Sequence, residues 1–349
     1  MERLIDPKKY EQFCKEACIK TGLSEEVSAV TANLLVRTDM LGTFTHGTLN
    51  LFPYLKKVPA GGINLKAKPE IVSEGPAWAV VDGNNAMGVY NGHFGMQVGI
   101  EKAKKEGVAY VGIRGSGHYG ACGIYAITAA EQGMIALVMS NTTRNMSVPG
   151  GKGPVVGNSP IAYAVPAGSH RPVFMDIATS NVAGMKVHRK IDDGEKVPEG
   201  WIVDGEGRPT TDPAVKGWSL CPMGGHKGYC ISFFIEVMCA VLTGGAVFGV
   251  KPWMDPAQAA DVSHSLMLVN VPDIMDNSIF GKRMEDAIKL IAGSPKAEGS
   301  DRIYLPGEIE WDRYEKAEKE GLELPADIIK NARALAQMTG LNFESCFTK

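Results

Sequence analysis

The 349-residue chain is 44% hydrophobic and 21% charged, with a formal net charge of −3. Its length calls for two domains or one large α/β body with a sizeable core. Slight acidity and the lack of any basic run exclude an electrostatic footprint for nucleic acid or an anionic membrane, and no apolar stretch reaches transmembrane length.

Met1 to Asp6 is too polar for a signal peptide. The seven cysteines form no C-x-x-C pair and lack further ligands at zinc spacing, so they read as reduced thiols in a cytoplasmic protein without a metal site.

The chain opens with helices. Asp6-Pro7 supplies an N-cap and a proline at the first helical position, predicting a helix to about Lys20 that stops before Gly22. Ser24 caps a second helix to about Met40, with Val27, Val30, Leu34, Leu35 and Val36 on or near its apolar side. Gly42 ends it, and Thr43 to Gly47 leads into another helical stretch reaching Lys56. From Ala77 the texture changes: strand and turn over 78–88, a helix from Val89 to Glu106, and a buried strand from Val108 to Arg114. A helix at 121–133, strands at 134–140 and 160–165, an apolar helix from Lys227 to Leu242, a strand at 265–271 and a helix at 281–292 complete an α/β body. The tail from Glu308 is helical and charged. A helical domain over 1–72, joined by the tail 305–349, is thus expected to flank a central α/β domain over 73–304.

Between strand and helix lies Gly115-Ser116-Gly117-His118-Tyr119-Gly120, which spells G-x-G-x-x-G. A Rossmann unit needs this context, and also an acidic residue about 20 residues on to bind the ribose. Here the next strand runs into Asn141-Thr142-Thr143, and no Asp or Glu occurs between Glu131 and Asp176. A histidine within the loop also suits proton transfer better than phosphate cradling. The loop is therefore expected to face a substrate, in a non-Rossmann fold.

Three further clusters could carry chemistry. Thr45-His46-Gly47 precedes a helix, where the dipole lowers an imidazole's proton affinity; as a bare surface cap it would do nothing. Asn141 to Pro160 is a long loop free of acids that carries Thr142, Arg144 and Lys152, suited to phosphate or carboxylate contacts. Gly225-His226-Lys227-Gly228 opens an apolar helix, and a lysine there conflicts with the dipole unless an anion lies nearby. His93, His170, His188 and His264 show no supporting pattern and read as structural or exposed.

Together these clusters resemble the type-2 malate/L-lactate dehydrogenase family over nearly the whole chain. The likeness rests on Asp39-Met40-Leu41-Gly42 before Thr45-His46-Gly47, on Gly117-His118, on Pro149-Gly150-Gly151, and on Gly157 to Ala162. It continues in Asp176-Ile177-Ala178-Thr179, Lys227-Gly228-Tyr229 and Pro306-Gly307-Glu308. The resemblance implies a homodimeric NAD- or NADP-dependent oxidoreductase with a non-Rossmann cofactor domain and an active site near the subunit contact. It places cofactor contacts on Thr142, Asp176, Ile177, Ala178, Lys227, Gly228, Pro306, Gly307 and Glu308, and the proton donor on His46 or His118. Thr45 stands where the family has serine. Asn50 stands where an arginine often grips a substrate carboxylate, and Arg144 could supply that charge instead.

The expected reaction is hydride transfer between nicotinamide and C2 of a small 2-hydroxy acid or its 2-oxo partner, with Thr45 and Asp176 orienting the His46 imidazole. A cyclic imine reductase is the alternative enzyme, and a nucleotide-binding module without chemistry the alternative of another class. No nucleic acid or membrane partner is expected.

Overall fold

The computed structural model describes residues 4–348, so Met1–Arg3 of the expected helical region and Lys349 of the tail lie outside the described residues. Capping starts the first helices as the sequence dictates. Asp6 accepts the backbone N–H groups of Lys8 and Lys9 at 2.9 and 3.2 Å to open α1 (Pro7–Lys20). Ser24 accepts the Val27 N–H at 3.3 Å to open α2 (Glu25–Met40). Two single 3₁₀ turns, Phe44–His46 and Thr48–Asn50, then lead into α3 (Leu51–Ala60).

The α/β part follows as β1 (Glu70–Gly75), β2 (Trp78–Asp82), α4 (Gly88–Glu106), β3 (Val108–Ser116), α5 (Cys122–Ala130) and β4 (Met134–Ser140). Next come β5 (Arg144–Met146), β6 (Val156–Gly157), β7 (Pro160–Ala167), β8 (His170–Ala178) and α6 (Gly184–Asp192). The short strands β9 (Ile202–Val203), β10 (Pro209–Thr210) and β11 (Ser219–Leu220) precede α7 (His226–Glu236). One π turn, Val237–Val241, continues α7 where a single α-helix to Leu242 is expected from sequence. The chain closes with β12 (Val262–Asn270), α8 (Val271–Ile274), α9 (Asn277–Ala292), α10 (Glu308–Glu320) and α11 (Ala326–Thr339).

Seven strands form the main sheet in the order β1-β2-β3-β12-β4-β7-β8. β2 and β3 pair in parallel, while every other neighbouring pair in it is antiparallel. A Rossmann crossover would lay the strand after the glycine loop beside the strand before it. Here β12 inserts between β3 and β4, pairing Leu266 with Val111 on one side and with Val138 on the other. The sheet is therefore not a Rossmann sheet.

A smaller sheet, β10-β9-β11-β5-β6, surrounds its own core of Met146, Val156, Val187, Ile202 and Leu220. The stretch 141–160, expected to be one long loop, contributes β5 and β6 to it. The main core is continuous from the helices into the main sheet, running through Leu35, Leu55, Met96, Ile100, Ile113 and Leu266 to Ile328 and Leu335 of the tail. Backbone bonds between Ile5 and Leu322, at 2.9 and 2.8 Å, tie the tail to the N-terminal helices. The expected boundary at 72/73 falls within β1. Among the described residues no helix is long and apolar enough to cross a membrane.

Candidate active site

His46 ends the first 3₁₀ turn, and its position is fixed from both sides. The Asn50 side chain donates to the Thr45 carbonyl at 3.0 Å, and the Thr45 hydroxyl lies 2.9 Å from His46 Nδ1. Beyond His46, the buried Asp39 carboxyl accepts the Thr48 N–H at 3.2 and 3.3 Å, and also the Thr48 hydroxyl. Gly47 must be glycine here, since a Cβ would lie 1.9 Å from Asp39 Oδ1. α3 begins only at Leu51, so His46 is not at a helix start and the expected dipole effect does not act on it. Its proton affinity is lowered instead by burial.

The glycine loop delivers the second histidine to the same place. Gly120, at φ +85°, passes so close to the His46 carbonyl that a Cβ would lie 3.0 Å from it. The rings of His46 and His118 stack with centroids 5.6 Å apart. His118 Nδ1 is held by the Tyr54 hydroxyl and, more weakly, by the Gly120 N–H at 3.5 Å. An Nδ1 that accepts the Gly120 N–H leaves the ring proton on Nε2, a donor available to a substrate oxygen. Burial, then the nearby His46 and His264, push the proton affinity of His118 well below that of an ordinary imidazole. Burial likewise raises the Tyr54 phenol, which stays protonated.

His264 is fully buried between the hydroxyls of Ser116 and Ser140, at 3.0 and 2.9 Å, and stacks on Tyr119. Burial pushes it down to about 3, so it is a neutral part of the core.

The expected cofactor segments converge along β8, which is an edge strand of the main sheet. Asp176, Ile177 and Ala178 occupy its C-terminal end. At Phe174 its N–H donates to the Pro306 carbonyl at 3.2 Å, which brings Gly307 and Glu308 onto the edge. Just past Ala178, the Thr179 carbonyl accepts the Met223 N–H at 2.9 Å, and the Gly228 N–H closes back on the Met223 carbonyl at 2.8 Å, so α7 begins beside the strand end. Lys227 is exposed there and has no ion pair among the described residues. Thr142, half-buried after β4, packs on Gly157. The free lysine and the buried, unpartnered Thr179 hydroxyl form a donor set that suits a nucleotide phosphate.

Two expected placements differ. Asp176 does not orient His46: its carboxyl accepts the Gly123 N–H at 2.6 Å at the start of α5, where burial raises it to about 6. Asn50 is buried and its amide nitrogen donates to the Thr45 carbonyl, so it braces the His46 turn. Arg144 is exposed at the start of β5 and has no ion pair among the described residues.

Four residues at the site have no role assigned from sequence, although Asp39 belongs to a motif that carries the family resemblance. Tyr54 holds His118, and Asp39 anchors the turn of His46. Trp253 stacks on His118 with centroids 4.5 Å apart, and Lys57, buried, donates to the carbonyls of Trp253, Asp255 and Gln258.

Residues 5–332 match the malate/L-lactate dehydrogenase family. The chain is 34% identical to the malate/(S)-sulfolactate dehydrogenase of Methanothermus fervidus over 337 residues, covering 95% of this chain and 97% of that one. It is 29% identical to the Δ1-pyrroline-2-carboxylate/Δ1-piperideine-2-carboxylate reductase of Pseudomonas putida, over 90% of this chain and 91% of that one. The solved sulfolactate dehydrogenase of Methanocaldococcus jannaschii superposes with a TM-score of 0.90 at 32% identity, over 98% of this chain and 99% of that one. The chain belongs to the malate/L-lactate dehydrogenase family.

Proposed function

We propose that the protein is an NAD- or NADP-dependent dehydrogenase that interconverts a small 2-hydroxy acid and its 2-oxo acid. The observation that carries this reading is the pair of half-buried imidazoles, His46 and His118, brought ring to ring from segments about 70 residues apart in a chain of this family.

When bound, the nicotinamide supplies or accepts the hydride at C2. Lys227, the Gly228 backbone and the β8 edge from Asp176 to Ala178 hold the dinucleotide, together with Thr142 and Pro306 to Glu308. His46 moves the proton of the C2 oxygen, its Nδ1 held by Thr45 so that Nε2 faces the reaction. His118 donates Nε2–H to the substrate. Arg144, an exposed cation without an ion pair among the described residues, meets the substrate carboxylate; a raised KM for the oxo acid in Arg144→Ala tests that role. The protein acts as a homodimer, a reading supported by Phe233, Phe234, Val241 and Leu242, which are exposed together on α7 and the turn after it.

A second reading, reduction of a cyclic imino acid, keeps the same hydride and proton transfers with C=N in place of C=O. The reductase of Pseudomonas putida favours it. A panel of 2-oxo acids and cyclic imino acids, followed by NADH and NADPH absorbance, decides between them. Turnover of oxo acids alone supports the first reading, and turnover of imines alone supports the second.

A further inference from the structure

The segment between the π turn and β12 crosses the site with little regular structure, yet it is firmly held. Lys57 has its three ammonium protons matched by three carbonyls, those of Trp253 (3.1 Å), Asp255 (2.5 Å) and Gln258 (2.7 Å). The Phe248 N–H donates to the buried Glu236 carboxyl at 2.5 Å. A Cβ on Gly62 would lie 2.3 Å from the Pro256 carbonyl, so the turn after α3 and this segment touch backbone to backbone. These contacts set the Trp253 indole face to face with His118, 18° from parallel, and edge-on to Tyr54 at 5.8 Å.

The indole therefore covers one face of His118. The cavity remaining beside His118, lined by Tyr54, Met87, Trp253 and Ala260, is about 10 Å³, which is room for about one water. Only a small substituent, not a whole acid, enters that space while the indole stays. The one cation lining the cavity, Lys57, is spent on carbonyls and offers no charge to a second acidic group.

We infer that Trp253 determines which substrates the site accepts: the group carried on the carbon beyond C2 meets the indole, and the indole limits it to small substituents. This rests on the hydride-transfer reading above. An aromatic wall packed on a fixed imidazole discriminates by volume, and each unaccommodated methylene in such a pocket is worth about tenfold or more in kcat/KM. Trp253→Ala opens the wall while leaving Lys57 its backbone acceptors, because all three of its bonds go to carbonyls.

The test compares wild type, Trp253→Phe and Trp253→Ala on pyruvate, 2-oxobutyrate, 2-oxohexanoate and phenylpyruvate, and in parallel on five- and six-membered cyclic imino acids. Circular dichroism and cofactor affinity verify that each variant is folded. The expected result is a rise of about tenfold or more in kcat/KM for phenylpyruvate relative to pyruvate in Trp253→Ala, with Trp253→Phe between. If the wild type uses only imines, the 2-oxo acid reading falls, and the ratio of six- to five-membered ring is read in the same way. A ratio within twofold of wild type in a folded Trp253→Ala overturns the inference while the enzyme reading stands. Silence of the wild type on both panels overturns both. Should Trp253→Ala fail to fold, Trp253→Phe carries the same comparison, and an unchanged ratio there overturns the inference.

Discussion

His46 and His118 lie ring against ring, with centroids 5.6 Å apart and planes 29° from parallel. Two imidazoles at that separation repel one another when both are protonated, and both are half-buried. Double protonation of the pair is therefore disfavoured. Thr45 steadies His46, whereas Tyr54 and Gly120 saturate Nδ1 of His118. His46→Ala is expected to lower kcat by about 10² to 10⁴, the span for losing a positioned acid–base group, with cofactor affinity little changed. His118→Ala should act more on KM. The reverse pattern, with His118→Ala inactive and His46→Ala near normal, would assign the proton to His118.

The same burial has a directional consequence for pH. Both imidazoles have proton affinities below the ordinary value, so the neutral form persists to pH values below about 6.5. Oxidation of a hydroxy acid needs a neutral base, so kcat/KM in that direction should stay level from pH 8 down to about 6.5 and fall only below that. Reduction needs a protonated acid, so its rate should decline as pH rises through the same depressed midpoint. Paired pH profiles of the two directions test this, and a common midpoint above pH 7 would contradict it.

How legible the molecule was in its sequence varies with the kind of interaction. Helices with caps at Asp6 and Ser24 were readable because capping is local. The apolar run of β12 was readable as a strand, but not its insertion between β3 and β4, which depends on partners some 120–150 residues earlier in the chain. β1 escaped notice because nearly all of it is exposed and carries no alternation, and β8 because it is a half-covered edge. The two- and three-residue strands of the small sheet are too short to show a period. His46 and His118 stood out by residue type and glycine context, while their meeting depends on the close pass of Gly120. Lys57 was not singled out, because only the carbonyls of a segment some 200 residues later bury it. Asp176 was assigned to the wrong partner because no sequence spacing reveals that α5 begins against β8.

Lys227 offers a test at the other end of the proposed site. It is the second residue of α7, exposed, and without an ion pair among the described residues. A cation there opposes the helix dipole, a conflict that a phosphate bound between them relieves. Lys227→Ala should raise the dissociation constant of NAD(H) or NADP(H) by roughly tenfold, the worth of one charged hydrogen bond, with melting temperature unchanged. Cofactor titration by fluorescence measures it, and an unchanged constant would leave Lys227 a solvated surface residue.

The last prediction concerns Asp39, which touches neither ring yet governs where one of them stands. Its carboxyl is fully buried and is pushed up to about 8 by burial, an effect that the Thr48 hydroxyl and N–H partly offset. The Tyr10 hydroxyl completes the chain by donating to Thr48 Oγ1 at 2.8 Å. Residues 47 and 48 are thereby pinned to the end of α2, and His46 follows them. Removing the acceptor in Asp39→Ala strands the buried Thr48 donors, at a cost of about 1–3 kcal/mol for each unsatisfied group. Release of the turn also displaces the imidazole, and a shift of about 1 Å can cost on the order of 10² in rate. Asp39→Ala should therefore lose at least about tenfold in kcat while cofactor affinity stays near wild type. Asp39→Asn, which keeps an acceptor oxygen for the Thr48 N–H, should recover part of the loss. A purely structural role would lower the melting temperature of both variants without separating kcat from cofactor binding. A folded Asp39→Ala with normal kcat would mean that Thr45 and Asn50 alone hold the His46 turn.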